Sequence, residues 1–100
     1  MKIEWLLRAE KDLDDQLDYI EQDSIQAADA VAERIQSQAK QLAQFPELGR
    51  AGRKRGTREL VISRTSLVVV YRVRPKLERV EVLRVLHARQ QWLMAEKERE

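Results

Sequence analysis

Residues 67–73 read LVVVYRV, and this run decides the fold class of the chain. Valine and tyrosine are enriched in strands because their side chains pack well on a pleated, half-buried surface. A continuous apolar run of this length is typical of a strand that is covered on both faces. We therefore predict that residues 67–73 form a central strand of a sheet.

Two further strands flank this run. In residues 60–63, Leu60 and Ile62 alternate with Val61 and Ser63. Arg64-Thr65 supplies a tight turn before the central strand. Pro75-Lys76 marks a turn after it, and residues 80–86 (VEVLRVL) read as the last strand. Because short connections require antiparallel pairing, we predict three consecutive antiparallel strands.

The N-terminal part of the chain reads as one strand followed by a helix. Residues 2–6 alternate polar and apolar, which predicts a short strand with Ile3 and Trp5 on one face. The spacing then becomes helical. The predicted first helix has an inner stripe of Ala9, Leu13, Leu17 and Ile20.

A second helix follows directly. Asp23 is a suitable N-cap with Gln26 three residues later, and Pro46 is expected to end the helix. Its predicted inner stripe is Ala28, Val31, Ile35, Leu42 and Phe45.

Two helices with a short joint pack as an antiparallel hairpin. The predicted fold class is therefore α+β: an N-terminal strand, a helical hairpin, and three antiparallel strands in one sheet. We expect the sheet face away from the helices to carry Arg58, Arg64, Arg72 and Arg84 in some combination.

Composition excludes several classes of function. The chain has 100 residues, no cysteine and one histidine, so we expect no disulfide, no thiolate chemistry, no zinc site and no cofactor. The absence of cysteine favours a reducing compartment, the cytoplasm, and no apolar run is long enough to span a membrane. We predict one domain over residues 1–92 and a charged, frayed tail over residues 93–100.

Charge is distributed unevenly along the chain. Residues 1–49 hold five Lys/Arg and eleven Asp/Glu, a net of −6, and residues 50–100 hold fourteen and six, a net of +8. Residues 47–56 read as a glycine-punctuated loop at the start of the basic half. A solvated loop is the simplest interpretation, but this density of cations favours a site for an acidic partner or phosphate. The five cations of residues 50–58 are Arg50, Arg53, Lys54, Arg55 and Arg58.

The order and spacing of these landmarks resemble the RelE/ParE toxin superfamily over nearly the whole chain, from Ile3 to Trp92. The segments that carry the resemblance are Trp5 and Ala9 with Asp12-Leu13, Tyr19-Ile20, residues 45–50 (FPELGR), residues 56–60 (GTREL), residues 70–73 (VYRV) and residues 82–89 (VLRVLHAR). The resemblance implies a toxin of a bacterial type II toxin–antitoxin pair. It also implies a cognate antitoxin that wraps the toxin with an extended segment, carries the DNA-binding domain, and with the toxin controls their promoter.

The target divides this superfamily. RelE-like members cleave mRNA on the ribosome, which requires a base, an acid and cations for the developing phosphorane charge. Candidates for these roles are Lys54, Arg58, Arg84 and His87. RelE-like members also use a tyrosine near the C-terminus or a Glu–His pair; this chain has no tyrosine after Tyr71 and no clear glutamate for such a pair.

The ending Leu86-His87-Ala88-Arg89 resembles the ParE branch instead, whose members inhibit DNA gyrase and need no catalytic site. We favour that branch. A non-toxic module that only binds an antitoxin and helps to repress its operon is a third alternative. Tyr71 is expected to be a packing residue, and His87 is as readily structural as functional. The residues predicted to bind target or antitoxin are Arg50, Arg53, Lys54, Arg55, Arg58, Arg64, Arg84, His87, Arg89 and Trp92.

Overall fold

The computed structural model describes residues 1–89. The chain begins with strand β1 (Lys2–Trp5), followed by helices α1 (Leu7–Glu21) and α2 (Ile25–Lys40). A short 3-10 turn at Gln41–Ala43 leads to strands β2 (Arg50–Ala51), β3 (Arg58–Val61) and β4 (Leu67–Arg74). A second 3-10 turn at Pro75–Leu77 precedes β5 (Arg79–His87). Among residues 1–89, no helix is both long and apolar enough to cross a membrane.

The five strands form one sheet in the order β1-β5-β4-β3-β2. β4 occupies the middle position, which confirms that residues 67–73 are the central strand. β3, β4 and β5 pair antiparallel in sequence order, as predicted, and β2 pairs antiparallel with β3. β1, however, joins the edge of β5 in parallel, with Ile3 opposite Val80. Because most of the chain separates β1 from β5, no short connection dictates their direction.

The predicted loop over residues 47–56 contains a strand of its own. β2 is only two residues long, with Arg50 opposite Glu59 and Ala51 opposite Arg58. A strand this short has no readable periodicity, so the sequence pattern could not separate it from the loop around it.

Two details of the second helix were predicted wrongly. Its N-cap is Ser24, whose Oγ accepts a hydrogen bond from the Ala27 amide at 3.1 Å, because Asp23 still belongs to the turn that ends α1. The helix ends at Lys40, ahead of Pro46, and a 3-10 turn follows. The change of helical pitch turns Phe45 away from the core, and 60% of its surface is exposed.

The core lies between the helical hairpin and one face of the sheet. Ala9 and Leu13 of α1 and Ile35 of α2 are buried against the sheet. Successive side chains of a strand point to opposite faces of the sheet, so strand position and register show which sheet residues face the core. The sheet residues of this core are Leu60, Leu67, Val69, Tyr71, Val80, Val82 and Val85.

The far face, defined here as the sheet face away from the helices, carries the alternate strand positions. Of the four arginines expected there, Arg72 lies on it, since it neighbours Tyr71 and Val73 of the core side. Arg58 pairs with Tyr71 and so lies on the helical side, while Arg64 lies in the turn between β3 and β4 with φ +63°. Arg84 pairs with Val70 of the far face, next to the bulge at Val70/Tyr71, but its side chain reaches Asp12 of α1. The expectation was therefore wrong for Arg58 and Arg64, because it depended on a register that is invisible in the sequence, and the side chain of Arg84 is turned to the helical layer.

Candidate functional site

The cations at residues 50–58 lie on one hairpin, which we call the basic hairpin. β2 and β3 form its base, and the Gly52 amide donates to the Thr57 carbonyl at 2.8 Å. The Thr57 amide and Oγ1 both donate to the Lys54 carbonyl, at 3.1 and 2.6 Å. Gly56 adopts φ +83°, a left-handed conformation that glycine tolerates at no steric cost. These bonds close the tip, and they leave exposed the side chains of Arg53, Lys54 and Arg55.

A buried carboxylate holds the base of the basic hairpin. Glu59 is 5% exposed and accepts from the Arg50 Nε at 3.3 Å and from the Arg53 amide at 3.2 Å. A buried carboxylate needs such partners because an unpaired buried charge is costly. Glu59 thus fixes the backbone at Arg53 while the cationic side chains point into solvent.

Tyr71 anchors the segment that leads into the basic hairpin. Its buried hydroxyl donates to the Pro46 carbonyl at 2.7 Å and accepts from the Gly49 amide at 2.8 Å. Burial raises the pKa of Tyr71 above its ordinary value, so the phenol stays protonated and able to donate. Arg58 completes the clamp by donating from Nη1 to the Gly49 carbonyl at 2.8 Å.

Gly49 is required by the closeness of this contact. A Cβ there would lie 2.7 Å from both Cε1 and the hydroxyl of Tyr71. Tyr71 is the packing residue that the sequence predicts, but its two anchoring hydrogen bonds could not be read from the sequence. A buried tyrosine usually finds a partner for its hydroxyl, yet nothing in the sequence identifies residues 46 and 49 as that partner.

Arg84 is fixed in an ion pair with α1. Its Nε lies 2.7 Å from Asp12 Oδ2, and its Nη2 donates to Asp12 Oδ1 at 3.2 Å. The same Asp12 carboxylate accepts from the Val85 amide at 3.0 Å. β1 pairs with β5 only as far as Val82, so Asp12 satisfies the strand edge beyond that point. Arg84 is a bidentate structural partner of Asp12, a pair that the sequence pattern does not reveal.

Three other predicted residues lie at the opposite end of the sheet from the basic hairpin. His87 ends β5 opposite Leu67, and its Nδ1 accepts from the Arg89 amide at 3.2 Å. The turn that holds Arg64 is adjacent, since the Ala88 amide donates to the Ser66 carbonyl. Trp92 lies outside the described residues.

The candidates for RNA cleavage are therefore not brought together. Arg58 lies opposite Tyr71 and His87 opposite Leu67, four residues apart along β4. At about 3.4 Å per residue, this is roughly 14 Å along the strand, with β4 itself between the two residues. Lys54 is at the hairpin tip and Arg84 is bound to Asp12. Within residues 1–89, no group of three His, Asp or Glu side chains is placed to hold a metal ion.

Comparisons with known proteins agree with one another. Residues 3–92 match the family model described as ParE toxin of type II toxin-antitoxin system, parDE. The chain is 43% identical over 91 residues to "Putative toxin Y4kP" of Sinorhizobium fredii, covering 91% of this chain and 92% of that protein. It superimposes with a TM-score of 0.78 and 27% identity on a chain of the chromosomal ParDE TA system from P. aeruginosa, covering 87% of this chain and 95% of that one.

Proposed function

Because the chain belongs to the ParE toxin family of type II toxin–antitoxin systems, we propose that it arrests growth by inhibiting DNA gyrase in the cytoplasm. A ParE-type toxin has an antitoxin partner. The proposal has two further parts. One is the surface through which the toxin binds its target and its antitoxin, and the other is the partner that reads operator DNA. In this proposal the operator sequence is read by the antitoxin.

One observation carries the choice of a binding mechanism over RNA cleavage. Positioned acid–base catalysis requires the reacting groups to lie within hydrogen-bond reach of one substrate atom. Lys54 lies at the hairpin tip and Arg58 at the hairpin base. Arg84 lies at the helix–sheet contact, and His87 lies at the far end of β5. An inhibitor that acts by binding has no need for such convergence.

The basic hairpin is the proposed contact surface for gyrase and for the antitoxin. Arg53, Lys54 and Arg55 are exposed on a base that Glu59 and Tyr71 hold rigidly. A preordered loop loses little conformational entropy when a partner binds, so more of the contact energy contributes to affinity. Its cations suit an acidic partner surface, and we propose that the antitoxin's wrapping segment covers the hairpin in the neutralised complex.

A supercoiling assay tests the proposed target. Purified toxin is titrated into gyrase with relaxed plasmid, and supercoiled and cleaved DNA are measured with and without the antitoxin. We expect dose-dependent inhibition or trapped cleaved DNA, relieved by an equimolar amount of antitoxin. A folded, growth-inhibiting toxin that leaves gyrase unaffected would contradict the proposal and shift attention to ribosome-bound mRNA.

The antitoxin contact has its own test. Affinity for the antitoxin is measured by calorimetry over a salt series for wild type and for Arg53→Glu/Lys54→Glu/Arg55→Glu. Screening weakens exposed charge pairs, so wild-type affinity should fall as salt rises. The variant should bind more weakly and depend less on salt. Equal affinity in both proteins at every salt concentration would remove the hairpin from the antitoxin interface.

A further inference from the structure

Three arginines on the far face surround one buried glutamate. Arg72 and Arg74 of β4 direct Nε at Glu81 Oε1, at 2.6 and 3.2 Å. Arg79 of β5 binds the other oxygen, Oε2, through Nε at 3.1 Å and Nη2 at 2.8 Å. We call Arg72, Arg74, Arg79 and Glu81 the arginine cluster.

The buried acid offers solvent little surface and offsets one of the three arginine charges. The Glu81 side chain is 4% exposed, whereas the side chains of Arg72, Arg74 and Arg79 are 39%, 47% and 34% exposed. Glu4 is the second acid of the group and bonds only Arg79, at 3.3 Å. With Glu4 45% exposed, solvent meets three guanidinium groups and one carboxylate, which bonds Arg79 alone.

Glu81 also sets the orientation of the arginines. Arg72 and Arg74 use Nε on the carboxylate, and within residues 1–89 their Nη groups make no hydrogen bond. A guanidinium held by one edge presents a planar, ordered fork that matches the oxygens of a phosphate. Because the side chains are already ordered, binding an anion costs little further rotamer entropy.

The same arrangement recurs on the neighbouring strands. Arg50 covers the buried Glu59, with Arg50 58% exposed and Glu59 5% exposed. Register places Arg50, Glu59 and Val70 in one row across β2, β3 and β4, and Arg72 is two residues from Val70 on the same face. Exposed arginines that pair with a buried acid therefore occur on β2 and β3 as well as on β4 and β5 of the far face.

We propose that the arginine cluster binds the phosphodiester backbone of duplex DNA without reading its sequence. This goes beyond the proposed function, in which the antitoxin reads the operator sequence and the toxin has no DNA contact assigned, and it holds whether or not gyrase is the target. Arg72 and Arg74 are about 7 Å apart along β4, so one side of a backbone can meet both. Backbone contacts of this kind supply affinity and position without specificity.

Two observations favour duplex DNA over other polyanions. Proteins that hold single strands stack the bases on aromatic side chains, but the aromatic residues among 1–89 lie elsewhere: Trp5 and Tyr71 face the core, Tyr19 is on α1, and Phe45 follows α2. An acidic peptide that added a strand would pair with a strand edge, whereas the arginine cluster lies on the face of the sheet: β5 is paired on both sides at Arg79 and Glu81, and β4 is paired with β5 at Arg72 and Arg74.

The test compares two variants of equal net charge. Arg72→Gln/Arg74→Gln/Arg79→Gln/Glu81→Gln removes the cluster without leaving a buried unpaired carboxylate. Lys11→Gln/Lys40→Gln removes the same net charge of two from the helical layer. Arg74→Gln alone is a milder change that keeps two arginines on Glu81, so it folds even if the quadruple variant does not. Thermal melts establish which variants are folded.

The readout is fluorescence anisotropy of a short labelled DNA duplex as salt is varied. Each phosphate contact contributes about −0.9 to the slope of log K against log salt. We expect the slope to become less steep by about 0.9 in Arg74→Gln and by about 2.7 in the quadruple variant, with no change in the Lys11/Lys40 control. For three contacts, wild type then loses about 40-fold in cluster-dependent affinity between about 50 and 200 mM salt.

Three outcomes would overturn the proposal. The first is an unchanged slope in the folded Arg74→Gln variant. The second is an equal loss of affinity in the Lys11/Lys40 control, which would show that net charge alone binds DNA. The third is tighter binding of wild type to single-stranded DNA or to a polyglutamate peptide of matched charge, which would assign the arginine cluster to a different ligand.

Discussion

Tyr71→Phe tests the anchor of the basic hairpin by deleting one oxygen atom. The ring stays in the core, so no cavity forms around it. The hydroxyl that bridges Pro46 and Gly49 is lost, and with it two hydrogen bonds of 2.7 and 2.8 Å in a buried setting. The change isolates hydrogen bonding from packing.

The expected cost follows from what remains behind. A typical intramolecular hydrogen bond contributes about 1 kcal/mol, and a buried donor or acceptor left unpaired costs about 1–3 kcal/mol. The Gly49 amide loses its tyrosine partner, while the Gly49 carbonyl keeps its bond from Arg58. We expect the free energy of unfolding to fall by about 2–3 kcal/mol, which for a domain of this size lowers Tm by roughly 10–20 °C.

Urea denaturation, monitored by circular dichroism, measures the free energy of unfolding. Amide hydrogen exchange shows which part of the chain loses protection. Exchange should accelerate most at the Gly49 amide and the start of the basic hairpin. The matched control is Tyr19→Phe, since Tyr19 is 70% exposed and should change stability by less than about 0.5 kcal/mol. A Tyr71→Phe protein as stable as the control would refute the anchoring role.

The remaining predictions concern the packing, the ion pair and the pH dependence of the fold. Gly49→Ala crowds the Tyr71 hydroxyl and should destabilise the fold by about 1–3 kcal/mol in the same urea assay. Asp12→Ala removes the partner of Arg84 and of the Val85 amide and should cost about 1–3 kcal/mol, measured by thermal melts. Hydrogen bonds from Arg72 above all lower the pKa of Glu81 from 4.5 to about 2, so its contribution to stability is complete above pH 4.5 and is lost as pH falls towards 2.

Controls make these outcomes decisive. Asp15→Ala removes an exposed i,i+4 pair with Lys11 at 3.8 Å and should change stability by less than about 0.5 kcal/mol. If Asp12→Ala were equally harmless, the edge-capping role of Asp12 would be wrong. Glu81→Gln should flatten the pH dependence between 4.5 and 2, and a wild-type profile in that variant would assign the acid sensitivity to other carboxyls.

Sequence patterns identified the elements but not the pairings between distant residues. The run at 67–73 predicted the central strand because it is apolar on both faces, and the helical stripe predicted α1. β1 was expected as a strand, yet its parallel pairing with β5 depends on tertiary packing across nearly the whole chain. The error at Phe45 has a local cause, since a 3-10 turn changes the pitch after Lys40.

The candidate site was likewise predictable from the sequence only in part. Charge density alone located the exposed cations of the basic hairpin, and the bonds that hold it were found only in the structure. Asp12 and Arg84 are 72 residues apart, and no pattern links them. Glu81 alternates with its neighbours like any strand residue, and Arg79 shares its face two residues earlier in β5. Its partners Arg72 and Arg74 become visible only when the register of β4 and β5 is known.

The most direct test of the central claim is to measure gyrase supercoiling with three forms of the toxin side by side. These are wild type, Arg53→Glu/Lys54→Glu/Arg55→Glu, and a control with the same charge change in the helical layer, Arg8→Glu/Lys11→Glu/Lys40→Glu. We predict that wild type and the control inhibit gyrase and that the folded hairpin variant does not. Full inhibition by the hairpin variant would contradict the claim that the toxin acts through its exposed basic hairpin.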